Sequence, residues 1–133
     1  MREIIFRGKS VNTGEWIAGD LIHYESGEVV ILERFSGYGY EATEIYRRDR
    51  VIPETVGQYT GLTDKNGERI FEGDIVEILR EDEHLEVEWA KEEARFIFQG
   101  STFICDFDNY WANEIEVIGN MHDTPELLGG DKE

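Results

Sequence analysis

Short apolar and β-branched runs, each closed by Gly, Asn or Asp, recur about every ten residues along this chain, which is the beat of an all-β protein. Helical periodicity is hard to find. Ile4, Phe6 and Val11 lead into Asn12-Thr13-Gly14, and Trp16-Ile17 resume beyond it, a first hairpin with Gly14 in the left-handed position. Residues 21–24 and 28–32 flank Glu25-Ser26-Gly27 as a second hairpin, and Ser36-Gly37-Tyr38-Gly39-Tyr40 reads as a surface loop.

Further along, Asp64-Lys65-Asn66-Gly67 is a strong turn signal, and Gly73-Asp74 marks a tight corner whose Asp74 side chain caps it. Beyond that corner Ile75 and Glu77 share one face of a strand, Val76 and Ile78 the other. Leu85, Val87 and Trp89 alternate with Glu86 and Glu88, which predicts a half-buried strand with its acids in water, paired as a hairpin with residues 75–80. Residues 96–98 and 102–104 give two more short strands and 115–118 another. Only residues 89–94 and 109–114 have room for a helical turn. Pro125 is followed by Glu126-Leu127-Leu128, a segment able to dock, and residues 129–133 read as a disordered tail.

A chain of 133 residues has room for one domain or two small β lobes, not for a catalytic domain and a cofactor domain together. Aromatic residues are 12% of it, enough large anchors for a real core despite the charge. That charge is −17, at which nucleic acid is repelled unless basic groups are gathered in one place. It is unevenly spread: residues 1–60 carry net −3 and residues 61–133 net −14. The single cysteine, Cys105, permits no intrachain disulfide, and its apolar neighbours suggest a buried thiol in a reducing, cytoplasmic setting. The N-terminal apolar run ends after three residues and the longest elsewhere, Val29-Val30-Ile31-Leu32, is four, so neither a signal peptide nor a membrane span is expected.

No pattern of catalytic chemistry emerges. His23, His84 and His122 are dispersed and lack the partner spacing of a zinc site. Asp106-Phe107-Asp108-Asn109 opens like a calcium loop, but Tyr110 and Trp111 occupy the positions where a ligand and a turn Gly belong. Gly37-Tyr38-Gly39 has no third Gly, no Lys and no following helix to cradle phosphate. No Ser, His and acid fall in a recognisable order, and with thirty acids paired carboxylates carry no information. Catalytic, cofactor and metal residues are therefore expected to be absent. The one basic cluster is Arg47-Arg48-Asp49-Arg50 with Tyr46 beside it. It is the candidate contact for a partner or a second subunit, its arginines suited to carboxylates of the acidic half.

Three segments together resemble the YopX family of phage and prophage proteins. They are Arg2-Glu3-Ile4-Ile5-Phe6-Arg7 with Trp16-Ile17-Ala18-Gly19-Asp20-Leu21; the central block from Ile52-Pro53-Glu54-Thr55-Val56-Gly57 through Gln58-Tyr59-Thr60-Gly61-Leu62-Thr63-Asp64-Lys65-Asn66-Gly67 to Ile70-Phe71-Glu72-Gly73-Asp74-Ile75-Val76; and Glu116-Val117-Ile118-Gly119-Asn120-Met121-His122-Asp123 with Pro125-Glu126-Leu127-Leu128. The resemblance runs over residues 2–128 and is weakest at 25–50 and 80–110. It implies an all-β fold with an N-terminal β-hairpin lobe (1–62) packed with a C-terminal SH3-like small barrel (63–128), a phage or prophage origin and an assembly of several copies. It supplies no catalytic residue. In its motifs Gly57, Gly61, Gly67, Gly73 and Gly119 read as turn residues, and Val56, Tyr59, Leu62, Ile70, Phe71, Ile75 and Val76 as core.

The reading that follows is a non-enzymatic accessory protein of the host cytoplasm that self-associates and binds a host or phage protein. Its surfaces would be the loops of 25–50, the acidic face 77–93 and open sheet edges. The alternative is a nucleic-acid transaction, either weak binding through Tyr46, Arg47, Arg48 and Arg50 or DNA mimicry by the acidic half.

Overall fold

The structure, a computed structural model, describes residues 3–36, 44–78, 83–92, 94–99, 104–106 and 114–128. Its regular elements are β-strands and short 3-10 turns, as the sequence rhythm requires, and the chain divides into two compact units, Met1–Gln58 and Tyr59–Glu133.

In the first unit β1 (Phe6–Lys9), β2 (Trp16–His23), β3 (Val29–Ser36) and β4 (Glu44–Val51) run antiparallel in the order β4-β3-β2-β1. Both expected hairpin turns are in place, with Gly14 at φ +76°. Strand β2 serves two neighbours in succession: its residues 16–19 pair with β1 and 20–23 with β3. The handover falls at Gly19, where an added Cβ would sit 2.2 Å from the Leu32 carbonyl oxygen. Only glycine lets β3 cross so close.

The ladder then returns on itself. An isolated bridge joins Ser10 to Val51, the Val11 N–H donates to the Arg50 carbonyl at 2.9 Å, and the Ile52 N–H donates to that of Lys9 at 2.9 Å. The four strands thus curl around Ile17, Val29, Ile31 and Val51, with Leu21 and Val56 packed against them. A 3-10 turn, Pro53–Thr55, seals the join, since the Thr55 hydroxyl accepts from the Lys9 N–H at 2.9 Å and donates to the Ile52 carbonyl at 2.6 Å.

Strand β5 (Gly57–Thr63) starts in the first unit, where Gly57 and Gln58 pair with Arg7 and Phe6 of β1, and in the second unit it forms a hairpin with β6 (Arg69–Phe71) about the expected turn at 64–67. Five further strands, β7 (Asp74–Ile78), β8 (Glu83–Ala90), β9 (Arg95–Gln99), β10 (Ile104–Asp106) and β11 (Ile115–Asn120), make an antiparallel sheet ordered β10-β9-β8-β7-β11. A closed SH3-like barrel is not among the pairings of the described residues. The core is Ile70, Val76, Ile78, Leu85, Val87, Phe98 and Ile115.

Two buried acids organise this unit. Asp74 caps its corner as expected, accepting the Phe71 N–H at 2.7 Å. Asp64 does more than make a turn. One oxygen accepts from Asn66 at 2.8 Å and Glu68 at 2.9 Å, the other from Val117 at 2.9 Å, so a single carboxylate ties the β5–β6 turn to β11. The C-terminal 3-10 helix, Pro125–Leu128, docks on the same unit, its Leu127 carbonyl 2.8 Å from His84 Nδ1.

Several expectations are corrected. Where a helical turn had room at 89–94, β8 instead runs through Ala90, and Ala94, at φ +54°, stands just before β9. Trp89, on the apolar side of β8, is 46% exposed and rests edge-on against Phe96, because the core ends at Val87. Leu62, read as core, is exposed, whereas Tyr59, Ile70, Phe71, Ile75 and Val76 are buried as expected. Gly57, Gly61 and Gly119 lie within strands rather than turns, Gly61 at φ +94° where the β5–β6 register shifts. The strand expected at 102–104 is described from Ile104 onward, while the Cys105 side chain, the loop at 37–40, residues 109–113 and the tail 129–133 lie outside the described residues.

Candidate functional site

Strand alternation splits the basic cluster. In β4 the even-numbered residues face the outside of the curled sheet and the odd-numbered ones the core side, because Val51 pairs with core Val29 and Asp49 with core Ile31. Arg47 and Asp49 therefore share one side, where Arg47 meets Glu33 at 3.1 Å and Asp49 at 3.2 Å. Arg48 and Arg50 lie on the other, opposite Leu32 and Val30. Tyr46 is in β4 opposite Arg34, and its side chain lies outside the described atoms.

Arg48 and Arg50 border an open cleft of about 710 Å³, together with Asn12, Tyr24, Glu25, Ser26, Glu28 and Val30. Each wall follows from local sequence. Val30, 5% exposed, is the apolar floor. Tyr24 ends the β2 side of the second hairpin, and Glu25 and Ser26 are in its turn. Asn12 is held by Ser10, whose buried hydroxyl accepts from the N–H groups of Asn12 at 3.1 Å and Thr13 at 3.2 Å. Arg48 reaches across the cleft, donates to the Tyr24 hydroxyl and lies 5.7 Å from its ring centre. Arg50 pairs with Glu28 at 3.1 Å, both about half exposed. At the same end of the unit Val11 and Ile52 present exposed apolar side chains.

The acids that these arginines meet in the ion pairs described above are Glu28, Glu33 and Asp49, all from the first sixty residues. Sequence reasoning missed Tyr24, Asn12 and Val30. The available signal was register: once residues 28–32 are placed between residues 20–24 and the basic run, Tyr24 and the even-numbered arginines fall on one face.

Elsewhere, burial first, then Glu88 and Glu72 beside it, push the Glu86 carboxyl up to about 7. The expectation that the acids of β8 stand in water therefore fails at Glu86. It faces the same side as Glu88, with which it shares a side-chain hydrogen bond, so its ionised form meets a like charge. His84 is spent on Leu127 and lies 3.9 Å from Glu77, and among the described residues no group of His, Cys, Asp and Glu is placed to hold a metal ion. No helix among them is long and apolar enough to cross a membrane.

No curated protein matches the chain. Among solved structures it is similar to protein EF1440 from Enterococcus faecalis, with a TM-score of 0.64 over 96% of this chain and 99% of that one. Sequence identity is 24%, so that likeness speaks for the all-β fold. The family model described as YopX protein matches residues 5–129, nearly the whole chain, and on that extent the chain belongs to the YopX family.

Proposed function

We propose that this YopX-family chain is a non-enzymatic accessory protein of phage or prophage origin, working in the host cytoplasm by binding protein through the cleft beside β4. The observation that carries the reading is the composition of that cleft. Tyr24 and two arginines surround an apolar floor, the residue types that dominate binding energy at protein interfaces. Glu25 and Glu28 balance Arg48 and Arg50, so the groove is locally near neutral and suits mixed polar and apolar groups better than a phosphate backbone. Self-association belongs to the same reading, resting on the outer strands β4 and β10 of the two sheets.

Capture from the natural host, with tagged wild type, Tyr24→Ala and Arg48→Ala compared in the presence of nuclease, tests it. A protein recovered by wild type and lost with both variants is the expected outcome. Recovery that vanishes with nuclease, or that neither substitution touches, sinks the cleft as the binding surface. Light scattering at micromolar concentration that finds only monomer removes self-association.

A further inference from the structure

Resting on that protein-binding reading and naming the chemistry of its partner, we propose that the outer edge of β4 over residues 44–49 accepts an extended acidic peptide segment as an added strand.

The hydrogen-bond phase of the sheet decides which backbone groups are offered. The Tyr24 N–H donates to the Glu28 carbonyl at 2.9 Å, so even-numbered residues at the start of β3 bond toward β2. Its odd-numbered residues then bond toward β4, in the pairs Val29 with Val51, Ile31 with Asp49 and Glu33 with Arg47. The even-numbered residues of β4 must turn their N–H and C=O groups away from the sheet. Arg50 confirms the phase independently, because its outward carbonyl is the one that accepts from Val11. Beyond that contact, toward the start of β4, the outward amides and carbonyls of Arg48 and Tyr46 have no strand beside them among the described residues.

Charge selects what would pair there. Arg47 and Arg50 each have a carboxylate, whereas the partners of Arg48 are the hydroxyl and ring of Tyr24, both uncharged. Arg48 is exposed, and its side chain lies on the face where a residue paired directly with it across a new ladder would also project. A glutamate at that paired position meets a guanidinium that has no ion-pair partner among the described residues, and charge-assisted bonds of this kind are the strong ones. The neighbouring residues of the added strand fall on the opposite face beside Arg47, whose own side chain is 57% exposed. Main-chain bonds supply affinity and the arginines supply the preference for acid.

The test titrates the full chain, at low salt, with capped peptides of eight residues, the length of β4. One alternates threonine with glutamate and a second replaces each glutamate by glutamine. Two further copies of the acidic peptide carry N-methyl groups, on alternate amides of one set or of the other. The acidic peptide is expected to bind about tenfold more tightly than the glutamine one, to perturb the amides of Tyr46 and Arg48, and to fail when one methylated set, but not the other, is used. Arg48→Gln is expected to erase the preference for glutamate, bringing the acidic and glutamine peptides to equal affinity. Equal binding of both methylated copies, equal binding of acidic and glutamine peptides, or a chain dimer at this edge that the peptide does not displace overturns the proposal. A captured partner that depends on Tyr24 and Arg48 but is displaced equally by both methylated peptides overturns strand addition while leaving protein binding intact.

Discussion

Asp64 shows how much a single carboxylate can organise. Burial alone would raise its pKa, but the N–H groups of Val117, Glu68 and Asn66, with Lys65 nearby, outweigh burial and hold the carboxyl below its ordinary value. Its stabilisation is therefore present above the ordinary carboxylate range and lost as pH falls through the depressed value. Asp64→Ala leaves three backbone donors without an acceptor and is expected to cost about 3 kcal/mol by urea unfolding. A loss below about 0.5 kcal/mol would show that water replaces the carboxylate freely. Glu86 has the opposite sign. Its folded value of about 7 lies above the unfolded one, so its contribution is complete below the ordinary carboxylate value and is lost as pH rises through 7. Glu86→Gln keeps the size without the charge and is expected to melt higher than wild type at pH 8, by roughly 4 °C, with the gap closing by pH 5. A gap that does not change with pH rules out Glu86 as the titrating group.

At the scale of elements, Gly19 is the position where β2 passes from one partner strand to the next, and a methyl group there collides with the β3 backbone rather than with a movable side chain. Gly19→Ala is expected to destabilise the chain by about 1–3 kcal/mol, read as a lower denaturation midpoint at unchanged denaturant slope; an unchanged midpoint would mean that β3 moves aside at little cost. Much of this level was legible beforehand. Gly14 and Gly27 punctuate alternating runs, so both hairpins follow from turn chemistry next to a two-residue period. The failures share one cause: local pattern carries no information on where a core ends. Trp89 continues the alternation of Leu85 and Val87 beyond the last core residue, and Leu62 continues β5 past its buried part, so both are exposed. Glu86 fails for the converse reason, its alternation being right and its crowding by Glu72 and Glu88 set by the fold.

For the whole molecule, the net charge of −17 is an energetic load concentrated in residues 61–133. Raising salt from about 0.01 to about 1 M shortens the screening length from about 30 to about 3 Å, and the melting temperature is expected to rise with it. A flat or falling midpoint would mean that ion pairs, not repulsion, dominate the electrostatics. The candidate site was only half readable at this scale. The arginine run was visible as composition, but which members face Tyr24 and which face Glu33 depends on the parity of β4, fixed by its pairing with β3. The family assignment was readable because its motifs are turn and core residues of fixed spacing, such as Asp64 and Asp74, which write geometry directly into sequence.

The join between Ser10 and Val51 closes a loop of roughly forty residues with one bridge, its two flanking bonds and the Thr55 hydroxyl on the Lys9 N–H. Contacts of such long sequence separation form late and open early, since few neighbours share their loss. The amides of Val11 and Ile52 are thus expected to exchange with deuterium before those inside the β2–β3 ladder. Each such opening exposes the outward carbonyl of Arg50 and lengthens the free edge of β4 toward Val51, so the chain's own breathing sets how long a strand can be received.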